Sequence, residues 1–194
     1  MKESWYEKLQ RWDDASAAYE RKQREDPHNL TWTLGRMRCQ HALGEWGALC
    51  QLAREKWRSG ELEDADMRAE VARLAAAAAW NLRLWGEMEH YCASIPKDSF
   101  DSNFFRAVLA IHSNSYPRAQ AHIDDARRIL DSEFTASVGE SYRRAYRSMI
   151  QVQQLSELEE MLQHKQEPNA MPLNLLVDMW RGRLVQVASA FPCH

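Results

Sequence analysis

Gly44-Glu45-Trp46-Gly47-Ala48-Leu49-Cys50-Gln51-Leu52-Ala53-Arg54-Glu55-Lys56-Trp57 turns at a glycine and then places Trp46, Leu49, Ala53 and Lys56 at offsets 0, 3, 7 and 10. At 3.6 residues per turn these offsets fall on one face of an α-helix. The same offsets recur at Trp12-Ala15-Tyr19-Lys22, Trp85-Met88-Cys92-Ile95, Tyr116-Ala119-Ile123-Ala126 and Leu155-Leu158-Leu162-Lys165. Successive heads lie 34, 39, 31 and 39 residues apart. Recurrence at roughly 20–50 residues marks stacked units, each unable to bury its apolar face alone. The pattern predicts an all-α chain, an α-solenoid of tetratricopeptide-like helical hairpins with about ten helices.

Composition agrees with that class. The 194 residues include 25 alanines but only 15 Val, Ile and Thr together, so helix formers dominate strand formers. An apolar share of 45% is enough for a packed core and argues against disorder. The formal charge of −3 argues against a broad nucleic-acid or anionic-membrane surface. No run of about 18 apolar residues is present to span a membrane, and Met1-Lys2-Glu3 is not the start of an apolar signal core. Cys39, Cys50, Cys92 and Cys193 are widely spaced, which favours buried thiols in a reducing cytosol over a disulfide framework.

Local signals set expected boundaries. Ser4-Trp5-Tyr6-Glu7 and Ser156-Glu157-Leu158-Glu159 read as capping boxes. Asp26-Pro27, Ser59-Gly60 and Ile95-Pro96 read as helix stops. Ser102 is expected to cap a helix over 104–112, and Ser115 one over 116–130. Further helices are expected over 64–84, 135–152 and 156–165. Glu167-Pro168 to Pro172 is a break, followed by an apolar helix over 173–190. The domain division expected is a repeat segment at 1–165 and a tail at 166–194.

Catalytic signals are scarce. The seven glycines form no phosphate-cradling loop, and no nucleophile elbow or kinase catalytic signature occurs. Asp13-Asp14, Asp124-Asp125 and Glu159-Glu160 resemble acid–base pairs, but adjacent helical residues diverge by about 100°, which makes them solvated faces. Cys39/His41 and His90/Cys92 are spaced two apart and project to nearly opposite sides, so no metal or cofactor site is expected. The tryptophans at equivalent heads read as packing between helices. Arg36 and Arg38 remain as candidate contacts for an anion.

Longer strings add a resemblance. Glu3-Ser4-Trp5-Tyr6-Glu7-Lys8-Leu9, Leu34-Gly35-Arg36-Met37-Arg38-Cys39, Ala42-Leu43-Gly44-Glu45-Trp46-Gly47 and Glu55-Lys56-Trp57 resemble the FAT domain of the target of rapamycin (TOR) kinases, which are phosphatidylinositol-3-kinase-related kinases. Ala75-Ala76-Ala77-Ala78-Ala79-Trp80, Arg106-Ala107-Val108-Leu109-Ala110, Gly139-Glu140-Ser141-Tyr142 and Leu155-Ser156-Glu157-Leu158-Glu159-Glu160 do the same, in the family's order. Past Lys165 the match thins to Trp180 and Arg183-Leu184.

The resemblance implies one arc of a clamp around a serine/threonine kinase domain, without chemistry of its own and without cofactors. Because the family's FAT domain is similar to inositol-polyphosphate-binding solenoids, it also makes Arg36 and Arg38 candidate contacts for an inositol polyphosphate. The partners it implies are the remaining FAT and kinase domains of the same kinase, and TOR complex subunits indirectly, but neither nucleic acid nor a membrane span. The implied location is cytoplasmic, with family members also acting at lysosomal or other endomembrane surfaces. The expectation is a fragment, or a truncated or divergent product, of such a kinase. A stand-alone tetratricopeptide-like adaptor is the alternative, and a small helical metalloenzyme is a third reading resting on His and Cys counts.

Overall fold

The computed structural model describes residues 2–137, 142–170 and 172–190. Those residues form α1 (Lys2–Lys8), α2 (Trp12–Glu25), α3 (Leu30–Leu43), α4 (Trp46–Ser59) and α5 (Ala65–Asn81). They continue through α6 (Trp85–Cys92), α7 (Phe100–His112), α8 (Tyr116–Ser137), α9 (Tyr142–Gln166) and α10 (Leu173–Ala190), with no strand among the described residues. The helices group into two compact units, Met1–Arg106 and Ala107–His194. The fold is all-α and built from helical repeats.

Trp12, Trp46, Trp85 and Tyr116 are the first residues of α2, α4, α6 and α8. Ahead of each stands the same turn. Gln10, Gly44, Arg83 and Asn114, each two residues before the head, adopt φ of 58, 72, 58 and 56°. The next residue donates its amide to the carbonyl five positions back: Arg11 to Tyr6, Glu45 to Gln40, Leu84 to Ala79 and Ser115 to Ala110, at 2.8–2.9 Å. The left-handed residue itself donates to the carbonyl three back, at 3.0–3.2 Å. Together these bonds make a Schellman turn, which satisfies carbonyls that the ending helix would leave orphaned. Only Gly44 takes this conformation freely; a side chain there costs on the order of 1 kcal/mol.

After each turn, offsets 3 and 7 carry the core. Ala15 and Tyr19, Leu49 and Ala53, Met88 and Cys92, and Ala119 and Ile123 are all buried, while the heads themselves are half-buried. In the first unit α5 packs on α3, α4 and α6. Ala72, Ala75, Ala76, Ala78 and Ala79 of α5 are wholly enclosed, since a bare Cβ lets three neighbouring helices approach one axis. Asp64 caps α5 by accepting the Met67 amide at 2.8 Å. A similar close approach joins α2 to α3: a Cβ on Gly35 would lie 2.4 Å from the Tyr19 ring.

In the second unit the fifth recurrence behaves differently. Leu155 and Leu162 are buried, yet Leu155 lies in the middle of α9, a single 25-residue helix. The expected helices over 135–152 and 156–165 are therefore not separate: Thr135 belongs to α8, and the Ser156 hydroxyl donates back to the Val152 carbonyl at 3.1 Å instead of capping. Nothing in Val152-Gln153-Gln154-Leu155 breaks a helix. Ser4 likewise lies inside α1, and α7 starts at Phe100, where Ser99 and not Ser102 accepts a cap bond, from the Ser102 amide at 3.2 Å. The helix expected over 173–190 forms as α10. Glu160 of α9 holds it by accepting two bonds from Arg183, at 2.6 and 2.9 Å, and one from the Trp180 indole at 2.7 Å.

Candidate functional site

Arg36 and Arg38 sit on α3, and their side chains go to different partners. Arg36 donates to Gln23 Oε1 at 3.1 Å. Arg38 reaches Glu70 of α5 at 3.1 Å and Glu7 of α1 at 3.2 Å, so one guanidinium ties three helices. Burial works to lower the Arg38 pKa, but the bonds and charges of Glu7 and Glu70 outweigh it and hold the group firmly protonated. Burial, and then Glu7, pushes the neighbouring Tyr19 hydroxyl above its ordinary value. The two arginines do not converge, and an anion reaching Arg38 would compete with two carboxylates already in place.

The acidic pairs are engaged singly. Arg11 donates to Asp14 at 2.7 Å, Gln120 to Asp124 at 2.9 Å, Arg128 to Asp125, and Arg127 to Glu159. Cys39, Cys50 and Cys92 are buried free thiols. Burial raises the Cys39 pKa to about 11 and that of Cys92 to about 12, which keeps both as unreactive thiols. Cys193 lies outside the described residues. Among the described residues no cluster of His, Cys, Asp and Glu is placed to hold a metal, and no helix is long and apolar enough to cross a membrane.

A feature that sequence reasoning missed lies between α4 and α6. Arg54, Trp57 and Arg58 from α4 face Gly86, Glu87, His90 and Tyr91 from α6 across an open groove of about 350 Å³. Arg54 and Glu87 close one side through a bidentate pair at 2.6 and 2.8 Å, which holds the Glu87 carboxyl below its usual pKa. Trp57 meets His90 and Tyr91 edge to face, with ring centres 5.7 and 5.1 Å apart, and Arg68 lies 4.9 Å from the Trp57 ring centre. These positions stand 8, 11 and 12 residues after Trp46 and 1, 2, 5 and 6 after Trp85. The preceding pair of heads puts Glu20, Gln23, Arg24, Gly47, Ala48, Gln51 and Leu52 at the same offsets, with no ring among them. Aligning the repeats by offset would have exposed the contrast; reading each tryptophan as core packing concealed it.

A model of the FAT domain matches residues 72–192. This chain belongs to the FAT domain family. It is 43% identical over 185 residues to the serine/threonine-protein kinase tor1 of Schizosaccharomyces pombe. It is 42% identical over 197 residues to the serine/threonine-protein kinase mTor of Drosophila melanogaster, and 41% over 209 to the serine/threonine-protein kinase TOR of Arabidopsis thaliana. Each alignment takes in 95% of this chain and 8% of the kinase, so the chain spans a small part of the length of the relatives it matches. The matched FAT stretch contains the alanine face of α5, the α6 wall of the groove, and the Glu160, Trp180 and Arg183 junction.

Proposed function

We propose that this FAT segment is a non-catalytic helical scaffold in a TOR-type serine/threonine kinase, where it supports and restrains the kinase domain in nutrient and growth signalling. Identity of 41–43% to TOR kinases of yeast, fly and plant, sustained over 95% of the chain, carries the reading. The side chains support it too: Cys39, Cys50 and Cys92 are buried, and Glu7, Glu70, Glu87 and Glu160 are held in ion pairs between helices. Such a scaffold acts on a conformational equilibrium of the kinase lobes. A repeat contact worth about 1–2 kcal/mol is enough to change the active population several-fold. Its partners are the other FAT helices and the kinase domain of the same protein, with TOR complex subunits reached indirectly, in the cytoplasm.

Co-purification tests the proposal. The 194-residue chain, mixed with a polypeptide carrying the complementary FAT and kinase regions of a TOR-type kinase, should elute with it in one complex. Separate elution, with both partners shown to be helical and folded, would reject the scaffold reading.

A further inference from the structure

We propose that the groove between α4 and α6 docks an acidic peptide segment that carries an apolar or aromatic side chain beside its carboxylates. The proposal does not depend on the kinase reading, because it rests on the chemistry of the groove.

Charge sets the sign of the partner. Arg54 is already bound by Glu87 through both prongs of its fork, so that pair is a fixed, internally neutralised wall. Arg58 is exposed in the groove with no carboxylate within 4.0 Å among the described residues. Arg68 lies over Trp57, also without a carboxylate partner among the described residues. The groove therefore carries two guanidiniums, Arg54 and Arg58, against the single Glu87 carboxylate, with Arg68 beside its aromatic floor. Guanidinium groups present planar forks that match carboxylates, and an adjacent ring strengthens that match by excluding water from one side.

Shape selects a peptide. A volume near 350 Å³ is at the low end of the roughly 300–1,000 Å³ found for small-molecule pockets, and this groove is open along one side. Such a space suits one or two side chains of an extended segment better than an enclosed metabolite. Trp57 and His90, set edge to face against each other and backed by the buried Tyr91 ring, offer the contact for a ring or branched side chain. Gly86 keeps the α6 wall low: a Cβ built there would meet nothing within 4 Å, although glycine inside a helix costs up to about 1 kcal/mol relative to alanine. Gly47, at the equivalent place after Trp46, is just as open, but the residues at the other equivalent offsets carry no ring. The conjunction of glycine, rings and an excess of guanidinium over carboxylate is what distinguishes α4 and α6.

The probe is a fluorescein-labelled dodecapeptide holding two Asp-Phe pairs in a Gly-Ser background, titrated with the full 194-residue chain and read by anisotropy. Saturable binding is expected, weaker at high salt. It should weaken at least about tenfold when both aspartates become asparagine, the fold-change expected for loss of a charge-assisted contact. Gly86→Phe should fill the groove and abolish binding. Arg58→Glu, an exposed change that leaves the core intact, should reduce binding several-fold at unchanged helical circular dichroism, so the inference stays testable if the first variant folds poorly. No saturable binding up to about 1 mM peptide would overturn it. Equal binding of the asparagine peptide, indifference to Arg58→Glu, or displacement by an equimolar amount of pyrophosphate would each do the same.

Discussion

Ahead of Trp85, Arg83 adopts φ of 58° and the Leu84 and Arg83 amides fold back onto Ala79 and Trp80; a new helix starts at Trp85. Ahead of Leu155, the corresponding residue is Gln153, which continues the helical path of α9 and bonds Glu157 on the next turn. Both stretches are followed by apolar residues at offsets 3 and 7 from the head. The two regions differ in a single left-handed residue, and that residue decides whether a helix ends. Apolar periodicity fixes which face is buried; the turn two residues ahead of the head fixes where the hairpin folds. The first unit repeats that device at Gln10, Gly44 and Arg83, and its helices run to 17 residues or fewer. Among the described residues of the second unit only Asn114 uses it, and α8 and α9 reach 22 and 25 residues.

The core of the first unit should respond most to added volume. Ala76→Leu in α5 adds a branched side chain where no surface is exposed, and should destabilise the unit by about 2–3 kcal/mol, read as a lower denaturant midpoint. The second unit depends more on a polar clasp. Glu160→Ala removes the acceptor for Arg183 and Trp180 together and should cost about 1–2 kcal/mol, a figure reduced because Arg183 keeps 36% of its side-chain surface in solvent. Hydrogen exchange should quicken in α10 before it does in α5.

Acid should reproduce that loss. Bonding to Arg183 holds the Glu160 pKa below its ordinary 4.5. Its stabilisation is therefore present above about pH 4.5 and disappears as pH falls through the lower folded value. The parent chain and Glu160→Ala should converge in α10 exchange on acidification, and a gap that persists at low pH would refute the clasp.

The same substitution at two equivalent places gives the sharpest contrast. Arg83→Gly relieves a left-handed side chain and should stabilise by roughly 0.5–1 kcal/mol, whereas Gln153→Gly, inside α9, should destabilise by about 1 kcal/mol. Equal signs in denaturation would erase the distinction between the two regions. A second contrast, ending in the smallest effect, concerns caps. Asp64→Ala should cost about 1 kcal/mol, and Ser156→Ala should fall within about 0.5 kcal/mol of the parent, because only Asp64 caps the start of a helix.

Much of this was legible from residues alone. The heads at Trp12, Trp46, Trp85 and Tyr116 mark real helix starts, and Gly44 and Gly60 both take positive φ. Gln10, Arg83 and Asn114 were not legible as turn residues, because two of them are ordinary helix formers held left-handed by the two hydrogen bonds of the turn. The Ser156 motif misled because a Ser-x-x-Glu spacing caps only where the backbone has already left the helix. Glu160 looked like half of a solvated acidic pair; its partners, Trp180 and Arg183, lie 20 and 23 residues on, and only folding α10 back onto α9 brings them together. The groove was hidden for a similar reason, its two walls lying 33 residues apart at Arg54 and Glu87.

The scaffold account meets its most direct test in the phosphotransfer rate of the complex formed with the complementary FAT and kinase regions of a TOR-type kinase. With the parent chain replaced by Glu160→Ala, the account predicts a several-fold change in kcat at unchanged KM for ATP, because the clasp biases the kinase lobes without touching nucleotide. An unchanged kcat in a complex of normal composition, or phosphotransfer by the 194-residue chain alone, would contradict it.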